Sequence, residues 1–149
     1  MKIIIPRQII SKLIEHSLIE DPNECCGYLM GKKNEVVEIF KCKNIHETPI
    51  KRYSLDPLDQ ISAEKYAEEN NLEILSIYHS HTLSQAYPSP TDIVNAVESG
   101  WIQPNYVLIS LVEKTRPIVR AFKISADSKV EEIIIEHDGD AYISPIESS

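Results

Sequence analysis

The chain has 149 residues, 42% of them hydrophobic and 26% charged, a length and composition typical of one globular domain spanning residues 1–149. Its 15 basic and 23 acidic residues give a formal net charge of −8, which argues against nucleic-acid binding because phosphates would repel such a surface. The apolar run at 3–5 is interrupted by Pro6 and is too short for a signal peptide or a membrane span. We therefore expect a cytoplasmic protein that does not associate with membranes.

The cysteine pattern excludes a disulfide framework. There are three cysteines, an odd number, and Cys25 and Cys26 are adjacent. No C-x-x-C pair is present that would indicate a structural zinc or a redox pair. We interpret the cysteines as small, buried and reduced side chains.

The first half of the chain predicts two helices and a β-hairpin. Apolar residues recur at helical spacing over 6–19, and an Asp-Pro-Asn sequence ends this helix. A second helix is predicted over 56–70, where Asp56 is a suitable N-cap and Pro57 suits the first helical position. The predicted strands are residues 2–5, 25–31 and 35–41. The last two form a hairpin across Lys32-Lys33-Asn34.

The second half predicts a central strand, a third helix and further strands. The nearly continuous apolar run at 74–79 is typical of a strand buried on both faces, and a helix follows at 90–99. Three more strands are predicted at 105–112, 117–124 and 131–136. Because helices and strands alternate irregularly, the pattern favours an α/β (α+β) fold, a mixed β-sheet flanked by helices on both faces. Residues 136–149 are expected to form a tail that packs back or stays mobile, with His137 and Asp138 at the surface.

Residues 32–52 are the one basic stretch of this acidic chain. They contain six Lys or Arg residues and three Glu residues. A solvated hairpin and loop would explain this composition. A surface that receives an acidic partner is the alternative.

His79 and His81 lie two residues apart at the end of the predicted central strand. Side chains at i and i+2 of a strand project from the same face, so both imidazoles can reach one ion. Two histidines in a surface turn are the alternative. Asp92 follows within the next helix, and a third ligand from its side chain would leave one position of a tetrahedral zinc site open for water.

Ser89 and Asp92 allow two interpretations. Ser89-Pro90-Thr91-Asp92 has the residues of a helix N-terminus, with Ser at the N-cap and an acid three residues later. Both side chains are then capping groups. The second interpretation is compatible with the first, because a fixed helix start would hold Asp92 against the histidines and present the Ser89 hydroxyl to the same cavity.

A zinc hydrolase also needs a proton acceptor, and the candidate is Glu24. A glutamate at a strand start is unremarkable by itself, but here it begins the sequence E-x-C-G-x-L-x-G over 24–31. Motifs of rival hydrolases are absent from the sequence. There is no H-E-x-x-H of a zincin, no H-x-E with P-C-x-x-C of a deaminase and no G-x-S-x-G of a serine hydrolase.

The combination of E-x-C-G-x-L-x-G with H-S-H-x7-S-x-x-D resembles the JAMM (MPN-type) metalloproteases, over about residues 1–136. The resemblance implies a fold similar to cytidine deaminases and a zinc isopeptidase or peptidase activity. It implies that His79, His81 and Asp92 bind one zinc ion with a bound water. It further implies that Glu24 transfers protons and that Ser89 helps to hold the oxyanion.

Within this family, the segment HSHTLSQAYPSPTD most resembles bacterial members that release cysteine from sulfur-carrier proteins. The expected substrate is therefore the C-terminus of a small ubiquitin-like or sulfur-carrier protein. An isopeptidase acting on ubiquitin-like conjugates is the first alternative, and a non-catalytic MPN-type interaction module is the second. The sequence is also compatible with a homodimer.

Overall fold

The computed structural model describes residues 1–137, so the expectations for Asp138 and for most of the 136–149 tail lie outside the described residues. His137 is exposed, as expected. The helices are α1 (Arg7–Glu20), α2 (Pro57–Glu69) and α3 (Pro90–Ser99). The strands are β1 (Lys2–Ile4), β2 (Cys26–Lys32), β3 (Glu35–Cys42), β4 (Glu73–His81), β5 (Asn105–Ser110), β6 (Ile118–Ile124) and β7 (Val130–Glu136). No helix of residues 1–137 is long and apolar enough to span a bilayer.

The seven strands form one mixed sheet in the order β1-β3-β2-β4-β5-β6-β7. β4 pairs in parallel with β5 and antiparallel with β2, so both of its edges are hydrogen-bonded. β1 pairs in parallel with both β3 and β7, and the sheet therefore closes on itself. The expectation of a mixed α+β fold is confirmed. The closure was not part of that expectation.

Side chains on the two faces of the sheet enter two large buried clusters, and a smaller third cluster contains Ala86, Leu108 and Phe122. Successive residues of a strand point to opposite faces, and β2 shows this clearly. Leu29 packs in one cluster with Leu13 of α1, whereas Tyr28 packs in the other with Ala63 of α2 and Ala96 of α3. The second cluster holds α2 and α3 against the same sheet that carries the histidines.

Local sequence signals account for the turns and helix starts. Lys33 and Asn34 join β2 to β3 with φ angles of 51° and 66°, the left-handed pair that a tight hairpin requires. Asp56 caps α2 by accepting a hydrogen bond from the Leu58 amide at 2.9 Å, and Pro57 occupies the first helical position. These two predictions are confirmed. The three cysteines are free and buried, as expected.

Gly27 in the E-x-C-G sequence has a packing role. A Cβ atom at this position would lie 2.6 Å from the ring of Tyr78 on β4, so a larger residue would displace that ring. Tyr78 is completely buried, and its hydroxyl lies 2.7 Å from Nδ1 of the buried His16 on α1. Glycine thus allows β2 and β4 to enclose a polar pair that joins the sheet to α1.

We expect His16 to make the protein sensitive to acid. Burial, with a smaller contribution from Lys41, lowers the pKa of His16 from 6.5 to about 4. The unfolded chain therefore binds a proton that the folded chain does not, and the stabilisation by neutral His16 is complete above pH 6.5 and is lost as the pH falls toward 4. Between pH 7 and 4.5 this loss should be about 2–3 kcal/mol. Urea unfolding at both pH values should show that the free energy of unfolding falls less in His16→Gln than in the wild type. An equal fall in both proteins would show that His16 is not the group responsible.

Candidate metal centre

β4 fixes the two histidines at the middle of the sheet. His79 pairs with Cys26 of β2 on one side and with Leu108 of β5 on the other, so its backbone is held on both edges. The side chains of His79 and His81 are buried, with 1% and 5% exposure. Ser80 points the other way, and its Oγ accepts a hydrogen bond from the Cys25 amide at 2.8 Å. The alternative of two histidines in a surface turn is therefore wrong.

Three ligand-type atoms converge in this part of the molecule. His79 Nε2 lies 3.1 Å from His81 Nε2, and Asp92 Oδ2 lies 3.2 Å and 3.1 Å from these two nitrogens. Tetrahedral zinc with bonds of about 2.0–2.2 Å places its ligand atoms about 3.3–3.5 Å apart. The donor set and its spacing fit a zinc ion after shifts of a few tenths of an ångström. Within residues 1–137, this group comprises His79, His81 and Asp92.

The start of α3 places the carboxylate of Asp92. Ser89 Oγ accepts a hydrogen bond from the Asp92 amide at 3.0 Å, and Asp92 Oδ2 accepts one from the Ser89 amide at 2.9 Å. This reciprocal pair is a capping box, so the capping interpretation is confirmed. The same oxygen, Oδ2, faces both histidines. Capping and a place at the candidate site therefore coexist in Asp92.

The hydrogen bond of His81 Nδ1 decides its tautomer. Nδ1 lies 2.9 Å from the carbonyl oxygen of Gln85, and a carbonyl can only accept, so Nδ1 carries the proton. In neutral His81, Nε2 therefore keeps a lone pair that is directed toward His79 Nε2 and Asp92 Oδ2. His79 differs, because its buried Nδ1 has no hydrogen-bond partner among the described residues. Its ring is held instead by Tyr53, whose ring stacks on it with 4.1 Å between centroids.

The charges of the three side chains are coupled. Burial lowers the pKa of His79. Burial also opposes protonation of His81, but hydrogen bonds to Asp92 and to the Gln85 carbonyl outweigh it and raise the pKa of His81. Although burial favours the neutral acid, the two histidines hold the pKa of Asp92 well below its usual range. Asp92 is therefore an anion at neutral pH, as a zinc ligand must be.

Glu24 lies just before β2, and its side chain is buried with 7% exposure. Burial is the main reason that its pKa is raised to about 7, and the charges of His81, Asp92 and Arg52 also act on it. Its backbone is fixed on both sides. The amide donates to the Pro49 carbonyl at 2.7 Å, and the carbonyl accepts from Asn44 Nδ2 at 2.9 Å. Glu24 thus supplies a buried carboxyl group whose pKa responds to the charges of His81 and Asp92.

Sequence reasoning did not identify Tyr53, Gln85 or Asn44. Gln85 acts through its carbonyl oxygen and Asn44 through loop contacts, and neither role leaves a mark in the sequence. Tyr53 left no signal either, because its stacking on His79 depends on how the loop that carries it folds. Tyr53 also lines a groove of about 490 Å³ with Ile77 of β4, Ala96 of α3, Tyr106 of β5 and Trp101.

Known proteins resemble this chain over most of its length. A probable TtuB-protein conjugate cleaving protease of Thermus thermophilus is 34% identical over 131 residues, which are 88% of this chain and 82% of that protein. A CysO-cysteine peptidase of Mycobacterium tuberculosis is 29% identical over 132 residues, 87% of this chain and 88% of that protein. A solution structure of a protein from Desulfitobacterium hafniense superposes with a TM-score of 0.77 at 28% identity, covering 94% of this chain and 97% of the other.

The family model described as prokaryotic homologs of the JAB domain matches residues 6–125. This span includes all five candidate site residues, Glu24, His79, His81, Ser89 and Asp92. The match covers far more than half of the chain, and the 34% identical relative extends over a similar length. The chain therefore belongs to the family of prokaryotic homologs of the JAB domain.

Proposed function

We propose that this chain is a zinc-dependent peptidase that acts at the C-terminus of a small ubiquitin-like or sulfur-carrier protein and releases cysteine from a carrier–cysteine adduct. The observation that carries the proposal is the convergence of His79, His81 and Asp92 near the buried Glu24. The names of the two relatives support the substrate class, because one is a probable TtuB-protein conjugate cleaving protease and the other is a CysO-cysteine peptidase.

His79, His81 and Asp92 would hold the zinc ion. Two imidazole nitrogens and one carboxylate oxygen are a typical donor set for catalytic zinc, and three protein ligands leave a position for water. The tautomer of His81 supports this assignment, because its Nδ1–H is already engaged. When bound, zinc would lower the pKa of its water to about 7 and polarise the scissile carbonyl.

Glu24 would carry the proton. A general base works best when its pKa lies near the working pH, and burial places the pKa of Glu24 at about 7. Its carboxylate accepts a proton from the attacking water and then donates this proton to the leaving amine. The contacts with Pro49 and Asn44 fix the backbone of the residue that carries this carboxyl.

Ser89 would stabilise the oxyanion. Its Oγ lone pair already accepts the Asp92 amide, which leaves the hydroxyl hydrogen free to be donated. A donor directed at the carbonyl oxygen strengthens as negative charge develops in the transition state. Ser89 can therefore cap α3 and assist the reaction at the same time.

Ser89→Ala is expected to reduce both stability and activity, each through the loss of a different interaction of the hydroxyl. Loss of the cap should lower the free energy of unfolding by about 1 kcal/mol. Loss of the donor should lower kcat by about 10²-fold, with zinc affinity little changed. Ser89→Thr keeps the hydroxyl and serves as the matched control. If Ser89→Ala lost stability but kept the wild-type kcat, the oxyanion role would be refuted.

The finer features of the fold belong to the same proposal. We infer one domain over 1–149 with a cytidine deaminase-like arrangement and helices on both faces of the sheet, in a cytoplasmic protein. The two buried clusters support the placement of the helices, since α1 contributes to one cluster and α2 and α3 contribute to the other. A non-catalytic module is disfavoured, because such a module would not need a buried carboxyl at Glu24.

The test of the proposed function uses two substrates and intact-mass analysis. The first is a small sulfur-carrier protein that ends in Gly-Gly-Cys, and the second is the same carrier linked through its terminal glycine to a lysine side chain. We expect the zinc-loaded enzyme to remove one cysteine from the first carrier. A chelator should prevent this cleavage.

The outcomes distinguish the proposed activity from its alternatives. Cleavage of the lysine-linked conjugate alone would replace the cysteine-releasing activity with an isopeptidase activity, which the conjugate-cleaving relative also suggests. Unchanged masses of both substrates would favour the interaction module.

A further inference from the structure

The loop 44–54 is fixed against the backbone of Glu24. Asn44 Nδ2 donates to the Glu24 carbonyl at 2.9 Å and to the Arg52 carbonyl at 3.0 Å, so one side-chain amide joins the two residues. Asn44 Oδ1 accepts from the Ser54 amide at 3.0 Å. The Glu24 amide donates back to Pro49 at 2.7 Å. Arg52 is therefore held beside Glu24 by the loop itself.

The guanidinium of Arg52 is available to an anion. The side chain is exposed, and its Nη1 donates to the Lys51 carbonyl at 3.0 Å. Within residues 1–137, no carboxylate lies at ion-pair distance from it. Its positive charge nevertheless acts on the Glu24 carboxyl. In a chain of net charge −8, Arg52 is thus a cation with no carboxylate partner among residues 1–137, and it lies beside the proposed proton carrier.

The role of Glu24 identifies the side of the substrate that Arg52 faces. Glu24 returns its proton to the leaving amine, so a group beside Glu24 lies near the leaving group. When a single amino acid leaves, its α-carboxylate is attached to the carbon that bears this amine. When a lysine side chain leaves, no carboxylate is attached there. A cation at this position can therefore distinguish the two kinds of substrate.

We propose that Arg52 binds the free α-carboxylate of the departing amino acid and makes the site favour carriers that end in one amino acid over isopeptide-linked conjugates. This inference rests on the proposed function. Arg suits the task because its planar group can bind both carboxylate oxygens. Since Arg52 is exposed, water weakens the contact, and we expect an effect of about 10-fold on kcat/KM.

The experiment compares two carriers that differ only at the terminal carboxylate. Both end in Gly-Gly-Cys, one with a free carboxylate and one with a C-terminal amide. The wild type should cleave the free acid about 10-fold more efficiently, mainly through a lower KM. Arg52→Gln should remove most of this preference, and Arg52→Lys should keep part of it. Lys51→Gln, the same kind of change at the neighbouring exposed residue, should keep it fully.

Each outcome bears on one of the two claims. Equal cleavage of the acid and the amide by the wild type would overturn the role of Arg52, although the proposed function would stand. A full preference retained by Arg52→Gln would overturn it as well. Cleavage of neither carrier by zinc-loaded wild type would instead overturn the proposed cysteine release, and the role of Arg52 with it.

Discussion

Glu24→Gln is expected to bind zinc like the wild type and to lose nearly all peptidase activity. The substitution keeps the size of the side chain but removes its ability to accept and return a proton. General acid–base catalysis typically contributes about 10²–10⁴-fold, so kcat should fall by at least about 100-fold. The three candidate ligands are unchanged. The measurement is kcat together with the zinc content of the purified protein.

Glu68→Gln is the matched control for this variant. It makes the same chemical change at an exposed position of α2 and should keep the wild-type kcat. A Glu24→Gln protein with full activity and full zinc content would show that another group carries the proton. Loss of zinc together with loss of activity would show that Glu24 contributes to the metal site itself.

Asp92→Asn is expected to weaken zinc binding by more than about 100-fold. Loss of an outer partner of a metal ligand already costs about 10–100-fold in affinity, and this change removes the only anionic member of the group. The helix should persist, because an Asn oxygen can still accept the Ser89 amide. Zinc affinity measured by competition with a chelator, and urea unfolding on the same sample, separate the two effects.

Asp59→Asn provides a control at the corresponding position of another helix. Asp59 is the first-turn acid of α2 and accepts the Lys43 amide at 2.7 Å, so the substitution perturbs a helix start without touching the candidate site. Its zinc affinity should equal that of the wild type. Zinc binding by Asp92→Asn as tight as that of the wild type would remove Asp92 from the ligand set.

Local signals in the sequence predicted most elements of the fold. The Asp56-Pro57 helix start and the hairpin at Lys33-Asn34 are encoded by adjacent residues, so their positions were predictable. The closure of the sheet was not predictable in this way. It depends on β1 pairing Lys2 with Ile134 and Ile4 with Glu35. Such distant pairings leave no periodic pattern in the sequence.

In the candidate site, too, residues close together in sequence were predictable, whereas contacts between distant segments were not. His79, His81 and Asp92 lie within 14 residues of each other, and their assembly followed from one strand end and one helix start. Glu24 is far away in sequence, and the family resemblance, rather than spacing, pointed to it. Tyr53 was missed because stacking on His79 depends on how loop 44–54 folds over the sheet.

The central claim is that one zinc ion held by His79, His81 and Asp92 makes this chain a peptidase. The most direct measurement removes metal from the protein and follows cleavage of the Gly-Gly-Cys carrier as zinc is added back. We expect activity to rise linearly and to stop rising at one zinc ion per chain. Full activity without metal, or an Asp92→Asn protein that regains wild-type activity at one equivalent, would contradict the account.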